Sequence, residues 1–112
     1  MIKKYDIVKV NLDPKKGHTQ AGIRPAIVVQ SNVFNKYSPT IIVVPLTTNL
    51  KEPFPSEFII KKSKINGLKS DSRALAYQII TLDKRYILDK YGVLDEEYRF
   101  MLDEALKLVL EL

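Results

Sequence analysis

The sequence predicts a mainly β protein, a small and partly open antiparallel barrel followed by a C-terminal helix. Three observations carry this. Short apolar runs rich in branched residues recur along the first 80 positions, each the length of a strand. Polar stretches holding glycine or proline separate them. The spacing then changes, and residues 95–112 repeat at a helical period. Strands do not alternate with helices, so a doubly wound parallel sheet is not expected.

The elements follow in order. YDIVKVNL (5–12) sets Val8, Val10 and Leu12 on one face of a strand. DPKKGHTQAG (13–22) is a basic loop, broken by Asp-Pro and two glycines. PAIVVQS (25–31) reads as a buried strand, and NVFNKYSP (32–39) as irregular chain closed by Pro39. TIIVVPLT (40–47) is a further buried strand in which Pro45 marks an edge, an end or a bulge. Two close prolines make TNLKEPFPS (48–56) a second long loop. EFIIKK (57–62) is a strand, SKINGLKSD (63–71) a turn region, and SRALAYQII (72–80) a fifth strand. TLDKRYILDKYG (81–92) reads as a short helix or turn with Asp83 as N-cap and Gly92 as its stop. In DEEYRFMLDEALKLVLEL (95–112), Tyr98, Met101/Leu102, Ala105, Leu108/Val109 and Leu112 fall at helical spacing. Asp95, Glu96 and Glu97 crowd its first turn, where the helix dipole favours negative charge. Its apolar stripe reads as a packing or dimer face. Residues 1–112 are expected to form one domain.

Composition narrows the function classes. The chain has no cysteine, which removes disulfides and thiol catalysis. No apolar run approaches the ~18 residues of a membrane span, and MIKKYDIVKV lacks the apolar core of a secretion signal, so a cytoplasmic protein is expected. Residues 1–94 hold 16 Lys/Arg against 7 Asp/Glu, a net of +9, whereas residues 95–112 hold 2 against 6, a net of −4. A basic body with an acidic tail segment points to a polyanionic partner for the body.

Chemistry has few places to reside. One histidine, no cysteine and no carboxylate pair at ligand spacing leave a metal site without donors. Glycine-rich phosphate loops and GxSxG are absent. Polar groups at strand ends remain. Arg24 is held between Gly22 and Pro25, so its backbone is extended and its guanidinium leaves the start of a rigid strand. That five-donor fork suits phosphate, but would equally serve a structural ion pair. PLTTNL (45–50) ends a buried strand in two hydroxyls and an amide, which could also be a local turn satisfying the backbone. His18 lies in the basic loop, where solvation alone would account for it.

Taken together, these stretches resemble the MazF/PemK-type toxins. The resemblance runs through YDIVKVNLDPKKGHTQAGIRPAIVVQSN (5–32), VVPLTTN (43–49), GLKSDSRALAYQIITLDKRYI (67–87) and GVLDEEYRFMLDEAL (92–106), in order and along essentially the whole chain. It implies an SH3-like barrel of five to seven antiparallel strands with a C-terminal helix, working as a homodimer. The implied activity is a sequence-selective, metal-independent endoribonuclease of a type II toxin–antitoxin system. Single-stranded RNA would be cut to 2′,3′-cyclic phosphate and 5′-OH ends without a cofactor. By the same resemblance Arg24 and Thr47 are the catalytic pair. The loops 13–22 and 48–56 are then expected to line the RNA groove, with Lys15, Lys16 and Lys51 on phosphates and His18, Gln20, Thr48, Asn49 and Gln78 nearer the nucleotide. The implied protein partner is an acidic, MazE-like antitoxin. Four residues depart from the family pattern: Thr19 and Tyr77 stand where carboxylates are usual, Ile80 where an arginine is, and Tyr5 where a glycine opens the family's first strand. Two other readings stay open: a nucleic-acid-binding barrel without catalysis, and a CcdB-like gyrase poison, whose C-terminal tryptophan this chain lacks.

Overall fold

The computed structural model describes residues 1–12 and 19–112. The expectations for Lys15, Lys16 and His18 therefore fall outside the described residues. The elements are β1 (Asp6–Asn11), β2 (Ile23–Val28), α1 (Asn32–Tyr37), β3 (Thr40–Thr47), β4 (Glu57–Ile60), β5 (Ser72–Leu75), β6 (Ile80–Asp83), β7 (Ile87–Val93) and α2 (Glu96–Leu110). Single 3-10 turns occupy Ala76–Gln78 and Lys84–Tyr86.

The seven strands form one antiparallel sheet in the order β4-β5-β3-β2-β1-β7, with β6 beside the first half of β3. The three central strands bury both faces, which is why they read as nearly continuous apolar runs. Ile7, Ile27, Val44 and Leu46 meet Phe58, Ile60 and Ala74 on one face, where Leu102 and Ala105 of α2 complete the core. Val8, Val10, Ala26, Val28, Ile41 and Val43 form a second core on the other face, with Leu82 of β6 and Ile87 of β7 packed against it. The turn Lys84–Tyr86 joins β6 directly to β7, at opposite margins of the β6-β3-β2-β1-β7 segment. The sheet is thereby drawn around this second core into a small open barrel, and acidic α2 lies on the opposite face.

Pro45 is neither an edge nor an end. It is buried mid-strand and pairs with Ala26. Val29 N–H donates to Ile42 C=O at 3.0 Å, so the even-numbered residues of β3 bond to β2 and the odd ones face the other way. On that side β3 pairs with β6 only through Val43 and with β5 only from Leu46. The missing proline N–H falls at this handover, where no ladder bond is required.

Three expectations are corrected. The stretch 32–39 is not irregular: Ser31 Oγ accepts the Val33 amide at 3.2 Å, and buried Asn35 exchanges hydrogen bonds with Gln30, so six residues form a helix without an apolar period. The strand expected over 72–80 breaks into β5, the 3-10 turn and β6. The short helix or turn expected over 81–92 is confined to one 3-10 turn, capped by Asp83 through Arg85 N–H at 2.9 Å, and the rest of the stretch belongs to β6 and β7. Its Gly92 is a close-approach residue, since a Cβ there would lie 2.2 Å from the Ile65 carbonyl. The terminal helix stands as expected, but Asp95 makes no cap bond of its own. Its carboxylate accepts from Ser63 Oγ at 2.7 Å and Asn66 Nδ2 at 2.8 Å, pinning the start of α2 to the 63–68 turn.

Candidate active site

The strand ladders align one residue from each strand into a transverse row on the second-core face. Ile59 of β4 pairs with Arg73 of β5, and Arg73 with Thr47 of β3. On the far side Arg24 of β2 pairs with Val10 of β1. The β2–β3 register ends at Ala26–Pro45. Continued by two residues, it sets Arg24 opposite Thr47. The bonding parity makes this a non-hydrogen-bonded position, the kind with the closer side chains, Cα atoms ~4.5 Å apart. The ladder stops short of it because Pro25 offers no N–H to Leu46.

Thr47 is buried, and its Oγ1 accepts the Asn49 amide at 3.2 Å. The turn anticipated as a bland alternative is thus present, yet it occupies only an acceptor site. The hydroxyl proton is left to donate. Arg24 Nε donates to Ala21 C=O at 2.7 Å. Among the described residues no carboxylate pairs with Arg24. One bond to a carbonyl fixes the guanidinium and leaves its terminal nitrogens for an anion.

Pro45, two residues before Thr47 on the same face of β3, helps to line a cavity of about 320 Å³ with Leu12, Thr19, Gln20 and residues 77–80. Gln20 N–H donates to Gln78 Oε1 at 2.8 Å, so two residues expected at the RNA surface meet and tie the end of loop 13–22 to the 3-10 turn. Three of the four departures noted in the sequence, Thr19, Tyr77 and Ile80, line this cavity. Asn49 and Lys51 are exposed in loop 48–56. Thr48 is separated from the group: by strand alternation it turns to the other face, where it lines a cavity of about 170 Å³ with Pro25, Lys69, Ser72 and Tyr91. Among the described residues no three His, Asp or Glu side chains gather to hold a metal ion, and no helix is long and apolar enough to cross a membrane.

Sequence reasoning passed over Arg73 and Glu57. Both are buried in strands and lie 3.5 Å apart, Nε to Oε1. The available signal was a single charge inside each short strand, Glu57 in EFII and Arg73 in SRAL.

The fold and the rim geometry define a small open barrel with an arginine and a threonine at adjoining strand ends. The chain matches the family described as "PemK-like, MazF-like toxin of type II toxin-antitoxin system" over residues 3–110 and belongs to it. It is 38% identical to endoribonuclease MazF of Staphylococcus epidermidis, over 100% of this chain and 93% of that protein. It is 35% identical to endoribonuclease EndoA of Bacillus subtilis (strain 168), over 100% and 97%. Among solved structures, MazF (Form-I) from Deinococcus radiodurans superposes with a TM-score of 0.84 at 21% identity, covering 99% of this chain and 97% of that one. An endoribonuclease in complex with its cognate antitoxin from Mycobacterial species gives 0.81 at 22% identity, over 100% and 97%.

Proposed function

We propose that this chain is a metal-independent endoribonuclease toxin of a type II toxin–antitoxin system, cutting single-stranded RNA such as mRNA in the cytoplasm, with residues 1–112 acting as one domain. The observation that carries the reading is the β2–β3 register, which ends at Ala26–Pro45 and, continued by two residues, sets Arg24 opposite Thr47, in a chain whose curated relatives are named endoribonucleases.

The chemistry is an internal phosphoryl transfer. The ribose 2′-oxygen bonds to the adjacent phosphorus and gives up its proton to a base. The bond from phosphorus to the 5′-oxygen breaks, and that oxygen takes a proton, leaving a 2′,3′-cyclic phosphate and a 5′-OH. Guanidinium groups stay protonated at neutral pH, so Arg24 meets the developing phosphorane charge rather than abstracting the proton. Thr47 donates its hydroxyl to a phosphate oxygen. The cavity receives a base next to the scissile phosphate. Gln20 and Gln78 supply polar contacts there, and Thr19, Tyr77 and Ile80 shape its sequence preference.

The active particle is a homodimer, and an acidic antitoxin segment occupies the basic groove in competition with RNA. The +9 of residues 1–94 supports the contact with an acidic segment, as does the placement of acidic α2 on the opposite face. Cleavage of a long single-stranded RNA in EDTA, followed on a denaturing gel, tests the activity. Defined fragments are expected; RNA cut only after a divalent ion is added would overturn the mechanism, and RNA bound but never cut would favour a barrel without catalysis.

A further inference from the structure

Thr47 has an arginine on each side. Arg73 is its direct partner on β5, so the two side chains leave the sheet on the same face, with strands ~4.8 Å apart. Arg73 is only 8% exposed, and its one carboxylate partner among the described residues is Glu57 of β4. Glu57 Oε1 also accepts the Phe54 amide at 3.1 Å, and Glu57 N–H donates to Phe54 C=O at 2.8 Å. The pair thus ties loop 48–56 to the strand beside Thr47.

This ion pair is incomplete. Neither Arg73 Nε nor Glu57 Oε2 has a hydrogen-bond partner, although both atoms are buried. Charges removed from water normally recover that cost through full hydrogen bonding, and a pair kept for structure alone would be satisfied. Arg73 instead holds unspent donor capacity in the row of Thr47 and Arg24. An anion held at Thr47 would provide the acceptor that Arg73 Nε lacks.

We propose that Arg73 is a second phosphate-binding residue of the cleavage site, closing on the RNA phosphate from the side opposite Arg24, with Glu57 positioning its fork. The inference rests on the RNA-cleaving reading above. It gives the rim a two-armed cation clamp around one hydroxyl, with loop 48–56 linked to the clamp through Glu57.

Removing Arg73 alone would leave Glu57 buried and unpaired, so the informative variant is Arg73→Met with Glu57→Gln. The net charge of the chain is then unchanged, and the carboxamide oxygen that Glu57→Gln introduces can still accept the Phe54 amide. Binding is measured against salt with a 2′-O-methylated RNA, which lacks the nucleophile, and cleavage with unmodified RNA. The slope of log affinity on log salt is expected to flatten by about 0.7, one single-strand phosphate contact. The cleavage rate is expected to fall on the order of 10²-fold with thermal unfolding still cooperative. Wild-type slope and rate in the folded double variant would overturn the proposal and leave the pair purely structural. Arg73→Lys keeps the ion pair and with it the fold, but loses the fork; roughly tenfold slower cleavage is expected, and an unchanged rate would also overturn the proposal. Wild-type protein that neither binds nor cuts RNA would overturn the underlying reading instead, so the two failures are distinct.

Discussion

Arg24, the second residue of β2, and Thr47, the last residue of β3, face one another across the continued register of the two strands. Two prolines frame this meeting. Pro25 withholds the bond that would carry the ladder past it, and Pro45 marks the point where β3 exchanges β6 for β5. The result is a strand-borne pair at an open rim, rigid because both backbones are in the sheet.

Fork geometry at Arg24 should matter as well as charge. Arg24→Ala is expected to slow RNA cleavage on the order of 10²–10³-fold, the usual cost of losing one preorganised donor at developing charge. Arg24→Lys should recover part of that rate, because it returns the cation without the planar fork. Single-turnover kinetics checks this; equal rates for Lys and Ala would mean that charge contributes nothing.

The tether between Gln20 and Gln78 should govern substrate fit more than chemistry. Gln78→Ala removes the acceptor for Gln20 N–H, freeing the end of loop 13–22 beside the cavity. KM is expected to rise roughly five- to tenfold, about one net hydrogen bond, with kcat changed less. Steady-state kinetics on a short RNA separates the two constants, and an unchanged KM would contradict the placement.

Much of this was legible in the chain, and the rest was not for identifiable reasons. β3 fell on residues 40–47 as read, since branched apolar runs mark a strand buried on both faces. Arg24 and the strand end 45–50 stood out as candidates because each sits where an apolar run meets a polar loop, and the family resemblance singled out Thr47 within it. The apposition of Arg24 and Thr47 was not legible, because register is a long-range property. α1 was missed because its stability comes from Ser31 and the Gln30–Asn35 exchange, not from periodicity. β7 was hidden by a capped turn that looked like the start of a helix. Arg73 and Glu57 gave no motif, and only β4–β5 pairing brings them together beside Thr47.

Asn66 should be the polar residue least tolerant of change. It is fully buried, donates to Lys61 C=O at 2.9 Å and to Asp95, and accepts the amides of Ser63 and Leu68 at 3.0 and 2.9 Å. Asn66→Ala strands several buried groups at once, and a loss of about 3 kcal/mol is expected. Denaturant unfolding measures it; a loss well under ~1 kcal/mol would show that the turn does not anchor α2.

Alkaline pH should loosen the contact between the N-terminus and α2. Burial, then the hydrogen bond to Asp103 at 3.0 Å, push the Tyr5 hydroxyl above the ordinary tyrosine value of 10.0, with Arg99 over the ring pulling the other way. A raised folded value means that the folded protein holds the proton more tightly than the unfolded chain. The stabilisation is therefore full below pH 10.0 and is lost as pH rises above it. Tyr5→Phe should lower stability by about 1 kcal/mol at neutral pH and reduce the decline above pH 10.0. Thermal melts across that range check the sign, and an identical alkaline decline in the variant would contradict it.

The central claim is that Arg24 and Thr47 act together on one phosphate. Its most direct measurement is a double-mutant cycle on the single-turnover cleavage rate, with Arg24→Ala, Thr47→Ala and the two combined. Groups that serve the same charge lose their effect together, so the combined variant is predicted to be hardly slower than the worse single one. Losses that simply multiply would show two independent roles and contradict the account.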